Sequence, residues 1–181
     1  VYAKDWYASA VEYTYNKGII LGTSDTTFNP NTKLTRGMLV TILHRMDGKP
    51  VPKTQNKFKD VYKSQYYYDA VIWATEKGIV HGYGDGTKFG PDDNITRQDV
   101  AVILRNYTQY RGINTNVTEN LGSFSDGNLV SDYAKSAMQW AVRTGTITGN
   151  NNGESLTPHG KATRAETAGL MYKYYKNVLG L

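Results

Sequence analysis

The chain has 181 residues, a net charge of +5 at pH 7 and no cysteine. That length is within reach of one large or two small domains, and the missing cysteine excludes disulfides and thiolate metal sites. With no run of eighteen apolar residues and no signal peptide at the start, neither a membrane span nor a leader is assigned.

The first stretch predicts a helix. Tyr7, Ala10, Val11 and Thr14 have the i, i+3, i+4, i+7 spacing of one helical face. Beside that stripe Trp6 and Tyr13 lie seven residues, or two turns, apart. Gly18 then ends the helix as a left-handed C′ residue would. A short apolar step leads to a second glycine, Gly22, and to a loop rich in Asp, Asn and Thr that closes on Pro30. After the loop, Leu39, Ile42, Leu43 and Met46 predict a second helix.

The same order recurs twice. Lys17-Gly18-Ile19-Ile20-Leu21-Gly22 matches Lys77-Gly78-Ile79-Val80-His81-Gly82 and Thr144-Gly145-Thr146-Ile147-Thr148-Gly149. Around these anchors three units align, at roughly 1–49, 56–110 and 122–181. In the second unit Tyr67, Ala70, Val71 and Ala74 form the first apolar face and Tyr66 and Trp73 the aromatic pair. In the third these are Ala134, Ala137, Met138 and Ala141, with Tyr133 and Trp140. Trp73, Trp140 and Tyr13 are read as core. Trp6, Tyr66 and Tyr133 sit at helix starts, where they could reach a groove. The second helices carry Val100, Ile103, Leu104 and Tyr107, and Thr167, Leu170, Met171 and Tyr174. A two-helix unit buries little alone, so six helices are expected to fall in three pairs that share one core.

Each second helix starts at Thr-Arg: Thr35-Arg36, Thr96-Arg97 and Thr163-Arg164. Thr is a good N-cap. Glu166, three residues after Thr163, completes a capping box; Asp99 offers a shorter version, and Met38 leaves the first unit without one. The arginines are harder to explain by helix stability, because a cation in the first turn meets the positive end of the helix dipole. Free helix-start N–H groups with a guanidinium make an anion site, so Arg36, Arg97 and Arg164 are candidates to bind a carboxylate. The competing reading pairs each arginine with an acid of a neighbouring unit. On that reading the Arg fixes the packing; on the anion-site reading an Arg at the first turn adds little to the cap, and its removal is expected to spare the fold.

These residues together identify a resemblance. Phe58-x-Asp60-Val61, Trp73-Ala74, Gly78-Ile79-Val80-x-Gly82-Tyr83-x-Asp85-Gly86-Thr87-x-Phe89-x-Pro91 and Ile95-Thr96-Arg97 are similar to an S-layer homology repeat. The resemblance covers essentially the whole chain as three tandem copies. Val1 aligns with Val61, so the chain reads as a piece of a longer protein whose first Phe-x-Asp lies upstream or was removed. The resemblance implies a mainly helical, pseudo-threefold spindle with one helix per repeat in a central three-helix bundle. It implies a module that anchors bacterial surface proteins, outside the cell, to a secondary cell-wall polysaccharide whose recognised unit is a pyruvylated N-acetylmannosamine. It implies binding in grooves between neighbouring repeats, where the ketal carboxylate would meet Arg36, Arg97 and Arg164. A loop glycine that lets sugar approach fits Gly22, Gly82 and Gly149, an acid fits Asp60 and Asp126, and Trp6, Tyr66 and Tyr133 are the aromatic candidates. The second repeat is the most complete, so Arg97 is expected to matter most.

Other classes fit less well. No distinctive carboxylate pair marks a glycosidase. His44, His81 and His159 occupy unrelated positions and form no metal spacing, and the Asp-rich loops lack the ligand order of a calcium loop. No catalytic residue, metal or cofactor is assigned. Lys and Arg are scattered, so nucleic acid is not signalled; fifteen Tyr suit a sugar or protein partner. The alternative function is a helical protein–protein interaction module of the cell surface.

Overall fold

The computed structural model describes residues 1–181, the side chain of Asn151 excepted. Among the described residues there are six α-helices: α1 (Ala8–Asn16), α2 (Arg36–Met46), α3 (Tyr68–Glu76), α4 (Arg97–Tyr110), α5 (Asp132–Arg143) and α6 (Arg164–Asn177). Local chemistry sets their ends. Gly18, Gly78 and Gly145 follow α1, α3 and α5 at φ +67°, +68° and +68°, a backbone that costs other residues dearly. Thr35, Thr96 and Thr163 cap α2, α4 and α6, each accepting from the N–H three residues on, and Thr163 with Glu166 closes a full capping box. Asp99 does not close one: its Oδ1 accepts instead from the Tyr133 hydroxyl at 2.7 Å.

The helices pair across repeats. α2 packs on α3, α4 on α5, and α6 returns to α1. Each repeat therefore lays its second helix on the first helix of the next, and the third closes on the first. The residues expected to face a shared core do so: Leu39, Ile42, Leu43, Val100, Ile103, Leu104, Leu170 and Met171 are buried in one continuous cluster with Trp73 and Trp140.

Backbone hydrogen bonds close the same cycle. Leu34 N donates to Ala162 O at 2.8 Å, Ala162 N to Ile95 O at 3.1 Å, and Ile95 N to Leu34 O at 2.9 Å. These three residues hold equivalent places just before the Thr caps. The expectation of free N–H groups at the second-helix starts is corrected here. Arg36 N donates to Asp93 O and Gly37 N to Pro91 O; Arg97 N to Gly160 O and Gln98 N to Pro158 O; Arg164 N to Thr32 O and Ala165 N to Pro30 O. Every N–H of the first turn that the helix leaves unpaired, down to the one taken by Thr, is thus taken by another repeat's loop.

Near the C-terminal ends of α2, α4 and α6 the core turns polar. The Tyr174 hydroxyl and Thr108 Oγ1 are 2.9 Å apart, and Arg111 Nη1 donates to the Tyr107 hydroxyl at 3.0 Å. Burial pushes the Tyr174 hydroxyl up to about 12 and raises Tyr107 as well. Both groups hold their protons more tightly folded than unfolded, where a tyrosine titrates near 10. Their stabilisation is therefore complete below about pH 10 and is lost as pH rises through about 12. The urea midpoint should fall over that interval, and Tyr174→Phe should reduce the fall; a midpoint independent of alkaline pH would contradict this.

Candidate functional site

Each Thr-Arg arginine reaches out of its own repeat. Arg36 Nε donates to Phe89 O at 3.1 Å and its Nη2 to His81 O at 3.1 Å. Arg97 Nε donates to Leu156 O at 2.8 Å. Arg164 Nε donates to Phe28 O at 2.8 Å and its Nη2 to Leu21 O at 2.6 Å. The three side chains are 8%, 5% and 6% exposed, so these carbonyls matter. Arg36 also lies 4.6 Å over the Tyr83 ring and Arg164 4.6 Å over Phe28. Burial lowers the affinity of Arg97 and Arg164 for their protons. The partners expected on the structural reading were acids; they are backbone oxygens of the next repeat's loop.

The same loops receive the acids. Asp60 takes Phe89 N at 2.9 Å and Gly90 N at 2.7 Å, and Asp126 takes Leu156 N at 2.7 Å and Thr157 N at 2.8 Å. Phe89 and Leu156 are thus gripped twice, by an acid of their own repeat at the N–H and by an arginine of the preceding repeat at the carbonyl. Asp60 and Asp126 were expected among the sugar contacts; the structure turns both carboxylates to their own loops, outside the grooves described next.

Three grooves flank α2, α4 and α6. The first, about 370 Å³, is lined by Gly22, Thr23, Met38, Arg45, Tyr66 and Arg164 with neighbouring apolar residues. The second, about 420 Å³, holds Gly82, Tyr83, Asp99, Asn106, Tyr133 and Arg36. The third, about 130 Å³, holds Gly149, Trp6, Glu166, Gly169, Lys173 and Arg97. Each brings together a loop glycine and a second helix from one repeat, an aromatic from the next, and an arginine from the one before. The resemblance implies grooves between neighbouring repeats without saying which arginine meets which glycine; in the structure Arg36 faces Gly82, Arg97 faces Gly149 and Arg164 faces Gly22.

The aromatics stand open to solvent: Trp6, Tyr66 and Tyr133 are 72%, 60% and 62% exposed. Tyr133 is held by its hydroxyl, which donates to Asp99 and accepts from Gln98 Nε2 at 2.8 Å. Burial of that end and the adjacent Asp99 carboxylate push it up to about 12. The glycines are sterically required. A Cβ at Gly82 would stand 2.7 Å from a Phe58 ring carbon and 2.9 Å from Lys88 O, and one at Gly22 2.7 Å from Thr27 O. Residues missed from sequence are those of the helix wall: Thr41, Arg45, Val102, Asn106 and Lys173.

Among the described residues, no group of His, Cys, Asp and Glu could hold a metal ion, and no helix is long and apolar enough to cross a membrane. His44 and His159 bond the Pro50 and Leu129 carbonyls.

Because Phe89 and Leu156 are fully buried, removing an arginine strands a buried carbonyl, at a cost of about 1–3 kcal/mol. The arginines thus contribute to stability through the carbonyls they hold rather than through the helix cap. Arg36→Met and Arg97→Met should each lower the thermal midpoint measurably; unchanged midpoints would show these bonds to be dispensable.

The model of the S-layer homology domain matches residues 1–37, 57–101 and 123–168. Similar proteins include an amylopullulanase of Thermoanaerobacterium thermosulfurigenes, 32% identical over 93% of this chain and 9% of its own length. A surface-layer 125 kDa protein of Lysinibacillus sphaericus is 31% identical over 98% of this chain and 14% of its own. A cellulosome-anchoring protein of Acetivibrio thermocellus is 27% identical over 80% and 32%. The chain thus spans only a small part of the length of these relatives.

Proposed function

Since this chain belongs to the S-layer homology family, we propose that it anchors a larger protein to the bacterial cell wall by binding an acidic wall polysaccharide in the grooves between its repeats. Its place is the cell surface, and its role is anchoring rather than catalysis. The relatives fit a portable anchor: an amylopullulanase, a surface-layer protein and a cellulosome-anchoring protein each contain a region similar to this chain that is a minor part of their length.

The observation that carries the proposal is the threefold recurrence of one constellation. An exposed aromatic face suits the apolar face of a sugar ring. A loop glycine lets the ligand approach the backbone. A guanidinium, already fixed on one side by loop carbonyls, suits a carboxylate. The ligand we assign is the pyruvylated N-acetylmannosamine terminus of a secondary cell-wall polymer, its ketal carboxylate directed to Arg36, Arg97 or Arg164. Asp60 and Asp126 act indirectly, by holding the loops.

The narrow third groove changes the order of importance. Arg97 belongs to it, whereas Arg164 and Arg36 face the two roomier grooves. Calorimetric titration with wall fragments that do and do not carry the ketal tests the reading. The ketal-bearing fragment should bind, without release of reducing ends, and its removal should weaken binding by about tenfold or more. Tyr66→Ala should cost about three- to tenfold, the scale of one aromatic contact. Equal affinity for both fragments would contradict the proposal.

A further inference from the structure

The three grooves share a plan but not a charge. The residue two turns along the helix from the N3 position is Arg45 in α2, Asn106 in α4 and Lys173 in α6. The N3 position itself is Met38, Asp99 and Glu166. The second groove therefore sets one guanidinium, Arg36, against one carboxylate, Asp99. In the third, Glu166 faces Arg97 and Lys173, and Lys173 Nζ is engaged by Thr148 Oγ1 at 2.6 Å. The first groove is lined by two guanidiniums, Arg45 and Arg164, and by no carboxylate.

Among the described residues no carboxylate forms an ion pair with Arg45. Its Nη1 makes one long contact, 3.5 Å, to Ile19 O. At the equivalent place in the second repeat Asn106 Nδ2 reaches Ile79 O at 3.1 Å, so a neutral amide does the same work better. Arg45 is held at half-burial beside a like charge, which is unfavourable unless an anion joins it. Burial lowers the proton affinity of both Arg45 and Arg164, and Arg45 lowers that of Arg164 further.

We infer that the first groove is the anion-selective site of this chain, with Arg45 its specificity-determining residue, while the second groove is charge-balanced and the third, with one carboxylate against two cations, is compensated in part. The ligand class is a carboxylate-bearing sugar, held between Arg45 and Arg164 against the Tyr66 ring. This rests on reading the grooves as saccharide sites, and the tests separate the two claims.

Two variants of the full chain have different structural consequences. Arg45→Asn copies the second repeat and should leave the thermal midpoint near that of wild type. Met38→Glu adds the acid that the other repeats carry and supplies Thr35 with a capping box, so it should raise the midpoint. Both should weaken binding of the ketal-bearing fragment about tenfold and flatten its salt dependence. Wild-type affinity and salt slope in both variants would overturn the inference while leaving polysaccharide binding intact. Pyruvate alone, followed by the Nε–Hε resonances of the arginines, tests the charge claim without polymer. The Arg164 resonance should shift well before those of Arg36 and Arg97, and Arg45→Asn should abolish that preference. If the preference is seen but no wall fragment binds, the inference stands and the polysaccharide reading falls; equal shifts at all three arginines overturn the inference.

Discussion

A helix start carries N–H groups that its own helix cannot satisfy. In this molecule three such starts are satisfied by one another's repeats. α2 donates to the loop ending at Asp93, α4 to the loop ending at Gly160, and α6 to the loop that holds Pro30 and Thr32. Together with the ring formed by Leu34, Ile95 and Ala162, these bonds commit each repeat to two partners at once. No repeat can complete its second helix alone, and the helix pairs, which also cross repeat boundaries, follow from the same closure.

The grooves are a by-product of that cycle. Once an arginine at a helix start must reach the next repeat's loop carbonyls, its guanidinium stands at the edge of a cleft that the next repeat's glycine and the following repeat's aromatic complete. Fixing the loop and presenting charge are thus done by one side chain. The fully buried parts, Phe89, Leu156 and the central Leu and Ile residues, are rigid supports. The helix wall varies, and Arg45, Asn106 and Lys173 differ there without disturbing the shared frame.

Much of this was legible in the sequence because it is local. The Thr caps, the C′ glycines and the apolar faces each depend on neighbours within a few residues. Trp6, Tyr66 and Tyr133 could be set apart from the core because the helical stripe runs through other positions. The arginines announced themselves as an anomaly, a cation placed three times where the helix dipole opposes it. Their partners did not, since a backbone carbonyl has no sequence signature. Cyclic pairing was hidden for a related reason: three equivalent apolar faces specify that they meet, not which meets which. The role of Asp60 and Asp126 left a faint mark in their constant distance, 29 to 31 residues, from the loop N–H groups they accept. That the grooves lie between repeats follows from the resemblance, but which glycine, aromatic and arginine share a groove depends on the cyclic order of the repeats, which no local pattern encodes.

The most direct test of the composite groove is a crystal structure of the full chain with a ketal-bearing disaccharide from the wall polymer. The expected result is a sugar in the first groove that touches all three repeats, with its carboxylate at Arg164 and Arg45, its ring on Tyr66 and its edge against the backbone at Gly22. A sugar bound to the surface of a single repeat, or away from these arginines, would contradict it.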